Sequence, residues 1–461
     1  MVNYKSVLPI HRFIVSCGSS FGKGPRKVIM IDARAEQLTA ELLKLRLEGL
    51  KEKPDFIGLT GTTRIINNAL ESAKICKEIF PDSKIVFGGV HSTLRPDEVL
   101  SNDFVDYVIR DEGEFAMNEL VFGKSLSEIL GLSYKKDQQI IHNERRPFLV
   151  DLDILPFLPT HLLPMEKYHP ALGAYKRLPA FGFIATRGCP GTCTYCYQNF
   201  GPRIRYFTAR RLLDEIKLLQ KNHGIREISF YDDTFTAVKR NIKEFCELVI
   251  AEKVNISWSC FSRVDCVDRE TLDILKKAGC HQIMYGVESA DPQILLNIRK
   301  RINLPRVEEV VKMTKEVGIN CRLAFMFGNP GETEETMQKT LNYAVELDPD
   351  LAVFNIATPY PGTEMYYWAK EEGYLKTEDW TQYNFSQSIM ELPTVASEKV
   401  EEFYKKAFKT FYFRPKYILR RFYKIGVYDL NTIKAISKFF IKWILGFGRG
   451  AKVPSTQMKF K

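Results

Sequence analysis

The sequence predicts an α/β protein of two parallel-sheet domains, the first doubly wound and the second a partial six-stranded βα barrel, followed by a basic helical segment. Three observations predict it. Short β-rich runs alternate with helical stretches up to about residue 125, and again from 181 to 356. Between the two zones, prolines at 147, 156, 159, 164, 170 and 179 interrupt any sustained period. From Tyr404 to Lys461, 15 Lys and Arg stand against the single acid Asp429.

The first zone opens with a strand at Val28-Ile29-Met30-Ile31-Asp32 and a periodic helix from Leu38 to Leu50. Phe56-Ile57-Gly58-Leu59-Thr60 follows, then a helix from Arg64 to Phe80 and the strand Lys84-Ile85-Val86-Phe87-Gly88-Gly89. Strand, small-residue turn, helix, strand is the mark of a parallel, doubly wound (Rossmann-like) sheet. Residues 126–180 read as connector. In the second zone, strands are expected at 181–186, 227–232, 256–261, 281–286, 321–327 and 351–356. Helices Arg210 to Lys221, Asp268 to Lys277 and Arg306 to Val317 separate some of them. Chemistry in such barrels sits at the C-terminal strand ends. The expected domains are therefore 1–125, a linker 126–180, a barrel 181–395 and a basic helical region 396–461.

The 461 residues carry a net charge of +10. Because the segment from Tyr404 holds +14 of it, the rest of the chain is left at −4. A basic tail on a slightly acidic body reads as a surface for something anionic, whether membrane headgroups, nucleic acid or a phosphorylated substrate, or equally as a merely solvated basic helix. Within it, Lys434, Lys438 and Lys442 recur every fourth residue among Ile433, Ile436, Phe439, Phe440, Ile441, Trp443, Ile444 and Leu445. That is the pattern of an interfacial helix, too short and too charged to span a bilayer, or of a helix docked on the barrel with its lysines outward. No leader-like N-terminus and no long uncharged apolar stretch are found, so a cytoplasmic protein is expected, with peripheral contact at the inner membrane face through this helix. Ten cysteines in so long a chain argue for reduced thiols or metal ligands rather than a disulfide framework.

The first barrel strand runs into Arg187-Gly188-Cys189-Pro190-Gly191-Thr192-Cys193-Thr194-Tyr195-Cys196. Three thiols on one loop converge on one centre. A structural zinc site takes four ligands, yet the next cysteine is Cys246, and the usual ferredoxin spacing differs. Three protein ligands leave one coordination position open, as a catalytic metal needs. The loop resembles that of the radical S-adenosylmethionine superfamily, with Tyr195 as the aromatic before the last cysteine. The resemblance implies a [4Fe-4S] cluster on Cys189, Cys193 and Cys196. S-adenosylmethionine would chelate the open iron and be cleaved to a 5′-deoxyadenosyl radical, with electrons from an external donor of ferredoxin or flavodoxin type.

Further matches stand at the strand ends: Tyr231-Asp232-Asp233, Ser262-Arg263, Tyr285-Gly286-Val287-Glu288-Ser289 and Phe327-Gly328-Asn329-Pro330-Gly331-Glu332. The resemblance assigns Tyr195, Asp232, Arg263, Gly286, Glu288, Gly328 and Pro330 to S-adenosylmethionine. No residue is assigned to the substrate.

The N-terminal turns Gly58-Leu59-Thr60-Gly61-Thr62-Thr63, Gly88-Gly89-Val90-His91 and Arg110-Asp111-Glu112-Gly113-Glu114 resemble the cobalamin-binding domain of one branch of that superfamily. They imply cobalamin contacts from Thr60, Thr62, Thr63, Gly88, Gly89, His91, Glu112 and Gly113. An Asp-x-His-x-x-Gly signature is absent, and the glycine-rich stretch Cys17 to Gly24 stands where a leucine- and alanine-rich helix is usual, so the first βα unit is shortened. His91 reads equally as an exposed turn residue. Methylthio-transferring enzymes would need three N-terminal cysteines, against only Cys17 and Cys76 here.

The expected function is cobalamin-dependent radical methyl transfer to an unactivated carbon of a small-molecule or lipid substrate. Oxidative ring closure or carbon–carbon coupling on a tetrapyrrole or lipid is the alternative. A non-catalytic nucleic-acid or membrane binder with a structural metal is the alternative from another class, and a nucleic-acid partner is not expected.

Overall fold

The computed structural model describes residues 12–17, 27–168, 170 and 175–424. It divides into two units, residues 1–408 and 409–461. The proposed interfacial helix at 433–445 and the glycine-rich stretch 18–24 lie outside the described residues. No described helix is long and apolar enough to cross a membrane.

The first sheet holds seven strands: β1 (Arg12–Cys17), β2 (Lys27–Asp32), β3 (Phe56–Thr60), β4 (Lys84–Gly88), β5 (Tyr107–Ile109), β6 (Leu132–Lys136) and β7 (Gln139–His142). Their order is β2-β1-β3-β4-β5-β6-β7. β3, β4 and β5 are parallel, as the βαβ pattern predicts. The helix Ile66–Ile79 crosses over between the first two and buries Ile66, Ala69, Ala73 and Cys76, one stripe at helical spacing.

Two features differ from the expectation. β1 lies antiparallel between β2 and β3, because the nine residues from β1 to β2 are fewer than a parallel crossover takes. β6 and β7 form an antiparallel hairpin inside the stretch read as connector and extend the same sheet. Alternation over four or five residues is too brief a signal beside so many prolines.

The second sheet has six parallel strands in the order β15-β14-β13-β12-β11-β8: β8 (Ala180–Phe183), β11 (Glu227–Phe230), β12 (Ser257–Ser262), β13 (Cys280–Glu288), β14 (Asn320–Phe327) and β15 (Leu351–Ile356). A small antiparallel pair, β9 (Thr186–Arg187) with β10 (Arg205–Tyr206), follows β8. Helices Ala209–His223, Arg269–Lys277 and Glu334–Leu347 begin on Thr208, Asp268 and Thr333, whose side chains accept an amide of the first turn. Glu227 is fully buried at the start of β11 and takes bonds from His281, Ser257 and the amides of Lys176 and Arg177. At the N-terminal end of a barrel strand such a knot serves stability.

The two sheets are not independent bodies. Ile57, Leu59, Ala69, Phe87 and Leu100 of the first domain share one buried cluster with Tyr366, Trp380, Tyr383 and Ile389 from beyond β15. At the edge of that cluster, Trp380 Nε1 donates to Glu98 at 2.6 Å, and Arg95 Nε donates to the same carboxylate at 3.1 Å.

Candidate functional site

The cysteine loop spans the gap between β9 and β10. Gly188 has φ +99°, and a Cβ there would strike the Arg203 carbonyl oxygen. Only glycine lets the chain leave β9 at that angle. The Cys189 amide donates to Gly201 O at 3.1 Å, and Gln198 Nε2 donates to Cys189 O at 2.9 Å and to Gly191 O, so the loop closes on itself. Gly191 lies between two of the sulfurs: its amide is 3.4 Å from Cys189 Sγ, and a Cβ would sit 3.4 Å from that sulfur and 3.9 Å from Cys193 Sγ.

Strand ends wall the loop. Thr234, past β11, places its hydroxyl 3.8 Å from Cys189 Sγ. Arg263, past β12, reaches Gly191 and is held by Asp265 at 2.8–2.9 Å. Glu288 ends β13 in the left-handed region, φ 71°, at a bulge against β14. Its carboxylate takes the Lys300 ammonium at 2.9 Å, and Lys300 also reaches Tyr195 Oη at 3.3 Å. A Cβ at Gly286 would press on the tips of Glu288 and Lys300, so a side chain there would displace that ion pair. The turn after β14 is joined through Asn297, which donates to Pro330 O at 2.8 Å, and Ile298, whose carbonyl accepts the Thr194 amide at 3.1 Å.

The cysteines, Tyr195, Arg263, Gly286, Glu288 and Pro330 are thus brought together. Gly328 stands apart from the loop's contacts: buried at φ +78°, it packs toward Val400. Asp232 is fixed at the root of the loop. It is almost fully buried and accepts the Thr186 amide, and burial raises its pKa to about 7. Its exposed neighbour Asp233 is the acid within electrostatic reach of Cys196. Lys300 gave no sign in the sequence, since it sits inside the run Arg299-Lys300-Arg301, which reads as a solvated face. Burial works against its ammonium, but Glu288 and Cys193 more than offset that and its pKa stands above the usual lysine value.

The donor set fits an iron–sulfur cluster. An amide directed at a cysteine sulfur, a bare backbone between two sulfurs, and two cations nearby suit thiolates shared with a cluster.

At the edge of the first sheet, Thr60 and Gly88 are half-buried and Thr62 is exposed. Gly89, φ +91°, brings backbone against the Thr60 hydroxyl and Gly61, with no room for a Cβ. The Ser92 hydroxyl is buried there without a hydrogen-bond partner, and this bare, polar edge fits a nucleotide-tailed cofactor. His91 is not an exposed turn residue: it is fully buried, with Nδ1 3.2 Å from Thr63 Oγ1 and Nε2 3.5 Å from Glu98.

Glu112 is committed elsewhere too. Its carboxylate takes Arg187 Nη1 at 2.7 Å, Arg205 Nη1 at 2.8 and 2.9 Å, and the Leu149 amide at 2.7 Å. Arg187 also bonds Glu114 at 2.6 Å, and Arg205 lies over the Phe148 ring. Gly113, half-buried, precedes the helix Glu114–Val121. This turn therefore ties the first sheet to both strands that carry the cysteine loop. Acid and arginines stand 75 and 93 residues apart, so no local motif announces the joint.

Residues 183–344 match the Radical SAM superfamily, and residues 19–121 match the B12 binding domain. An uncharacterized methyltransferase of Pyrococcus horikoshii is 36% identical over 405 residues, covering 85% of this chain and 86% of that one. The anaerobic magnesium-protoporphyrin IX monomethyl ester cyclase of Rubrivivax gelatinosus is 29% identical, covering 89% and 78%. Among solved structures, the radical S-adenosylmethionine methyltransferase TsrM of Kitasatospora setae, with cobalamin and a [4Fe-4S] cluster bound, superposes with a TM-score of 0.60 over 72% of this chain and 67% of that one. At 18% identity that likeness concerns the fold. With a three-cysteine loop at the mouth of a six-stranded half-barrel and a B12-type sheet joined to it, the chain belongs to the cobalamin-binding branch of the radical S-adenosylmethionine superfamily.

Proposed function

We propose that this enzyme transfers a methyl group to an unactivated carbon of a small molecule. The observation that carries the reading is the Glu112 joint, which fixes the cysteine loop beside the edge of the cobalamin-type sheet, so that two cofactors can serve one substrate. The P. horikoshii relative, itself named a methyltransferase, supports it. A cluster and cobalamin bound there supply, respectively, the electron that cleaves S-adenosylmethionine and a carrier for the methyl group.

The chain's own residues bind and orient. Cys189, Cys193 and Cys196 are the proposed cluster ligands. Glu288 meets the ammonium or ribose of S-adenosylmethionine, with Tyr195, Arg263, Gly286 and the Gly328-to-Pro330 turn around it. Thr60, Thr62, Gly88 and Gly89 meet cobalamin, with Gly113 beside them, while Thr63 and His91 support that edge from beneath. Buried cations near the thiols offset negative charge where water is excluded. The electron donor is proposed to be of ferredoxin or flavodoxin type. The basic tail is proposed to hold a cytoplasmic enzyme against anionic headgroups at the inner membrane face.

The similarity to the cyclase over most of both chains supports a second reading, oxidative ring closure on a tetrapyrrole. Anaerobic reconstitution with iron, sulfide and hydroxocobalamin tests the first step, with metal analysis and a deoxyadenosine assay under dithionite. About four irons per chain, bound cobalamin and deoxyadenosine are expected. Cys193→Ala should lose both cluster and deoxyadenosine, and full activity in that variant would refute the assignment. Iron and deoxyadenosine without bound cobalamin would leave a cobalamin-independent radical reaction instead.

A further inference from the structure

The cysteine loop has an outer side. Pro190, Thr192 and Cys196 are exposed, and the turn Ile298-Arg299-Lys300-Arg301 lies against the same stretch, since Ile298 O accepts the Thr194 amide at 3.1 Å. Arg299 and Arg301 take left-handed backbone, φ 51° and 50°, and the three cations part: Lys300 is buried on Glu288, while both arginines are exposed. A solvated basic run is the ordinary reading of such a triplet, but its surroundings argue for more. No Asp or Glu occurs from Pro292 to Val307, nor from Lys167 to Leu213, which contains the whole loop. Other arginines close to the loop are taken up, Arg187 and Arg205 by Glu112 and Arg263 by Asp265. Arg301 has no ion pair among the described residues, and Arg299 shares only an exposed one with Glu364, which solvent and salt screen.

Two apolar groups stand at the same place. Leu296, 67% exposed, lies three residues before Arg299. Tyr367, 54% exposed, belongs to the helix Glu364–Glu371, whose Met365 amide donates to Thr194 O at 2.9 Å. Exposed apolar side chains beside arginines are the make-up of a protein interface. The patch is positive although residues 1–403 carry −4 overall, and such a local field draws an oppositely charged partner to one spot.

We infer that Arg299 and Arg301, with Leu296 and Tyr367 beside them, form the docking surface of the electron donor, and that this donor is a small acidic electron-transfer protein. One electron leaves the reduced carrier and one enters the oxidised cluster held by the loop, so the surface serves to bring the carrier to the loop's exposed side. The inference rests on the cluster and the donor class proposed above. It assigns the arginines to binding the carrier, not to the chemistry.

The test compares two reductants on the full chain, reconstituted anaerobically with iron and sulfide. Deoxyadenosine formation is followed with dithionite, which needs no docking, and with flavodoxin kept reduced by its NADPH-dependent reductase. Arg299→Gln with Arg301→Gln should raise the flavodoxin concentration for half-maximal rate at least tenfold, and leave iron per chain and the dithionite-driven rate within twofold of wild type. Lys243→Gln with Arg269→Gln removes the same charge from an exposed site on other helices and should change neither. Added salt of about 0.15 M should slow the flavodoxin-driven reaction of wild type several-fold and that of the Arg299→Gln, Arg301→Gln chain much less. Unchanged flavodoxin dependence in that chain overturns the inference, as does an equal loss with dithionite, which would make the arginines structural. An equal loss in the Lys243→Gln, Arg269→Gln control would mean overall charge alone and also overturns it. Wild-type protein that reacts with dithionite but with neither flavodoxin nor an acidic ferredoxin refutes the donor class. Wild-type protein that holds iron yet forms no deoxyadenosine with dithionite brings down the proposed function, and the inference with it.

Discussion

Replacing Glu112 with glutamine should loosen the joint between the two sheets. Glu112 and Arg205 are both below 10% exposed, and the carboxylate accepts four charge-assisted bonds from Arg187, Arg205 and the Leu149 amide. An amide keeps one acceptor oxygen but turns an NH2 toward these donors. Breaking a buried pair from one side costs about 3–5 kcal/mol. Arg187 retains Glu114, and Arg205 retains the carbonyls of Leu149 and Phe200 at 2.7 and 2.8 Å, so the low end, about 3 kcal/mol, applies. At about 2 °C per kcal/mol in a unit this large, the first transition of the cluster-free chain should fall by about 6 °C in calorimetry. Arg205→Met removes the cation left unpaired, so Glu112→Gln with Arg205→Met should cost clearly less than the two single changes together. A Glu112→Gln transition within 1 °C of wild type, or strictly additive effects, would refute the reasoning.

Three further outcomes follow from the geometry. Gly188→Ala forces a Cβ onto the Arg203 carbonyl at a left-handed φ, and should lower iron retained after reconstitution several-fold while leaving far-ultraviolet dichroism unchanged. Burial opposes the charge on Glu98, but His91, Trp380 and Arg95 outweigh it and hold the pKa at about 2, so its stabilisation is present above pH 4.5 and lost as pH falls toward 2. Glu98→Gln should remove about 1–2 kcal/mol of acid-sensitive stability, allowing for solvent screening, and an acid limb parallel to wild type would count against the network. Glu332 is fully buried and raised by burial to about 8, so its contribution is full below pH 4.5 and lost as pH rises toward 8. Glu332→Gln should gain in relative stability by up to about 1.4 kcal/mol per pH unit across that window, whereas a constant offset would mean an ionised carboxylate throughout.

The sequence carried the parallel strands and the cysteine loop, because short β-rich runs and a C-x3-C-x2-C spacing are both local patterns; the first barrel strand, expected to reach 186, stops at Phe183, and Thr186 opens the small antiparallel strand β9. It did not carry the antiparallel place of β1, which depends on how few residues lie between β1 and β2. Neither did it mark Lys300, whose burial is set by a turn between two exposed arginines. Glu112 lies in a turn that looks like ligand-binding backbone, and only folding shows that arginines from the barrel already occupy it. Asp232 and Asp233 are adjacent in sequence just past β11, and only the folded chain shows that the first is buried while the second comes within electrostatic reach of Cys196.

The shared core around Trp380 and Tyr383 bears on how such chains can be recombined. A cut after β15 would strip Ile57, Phe87 and Leu100 of their aromatic cover, so the N-terminal sheet expressed by itself should aggregate instead of serving as a free cobalamin carrier. Chimeras meant to exchange cofactor domains between relatives would have to move residues 360–390 together with the first 142, which complete the seven-stranded sheet, treating two distant stretches of sequence as one transplantable part.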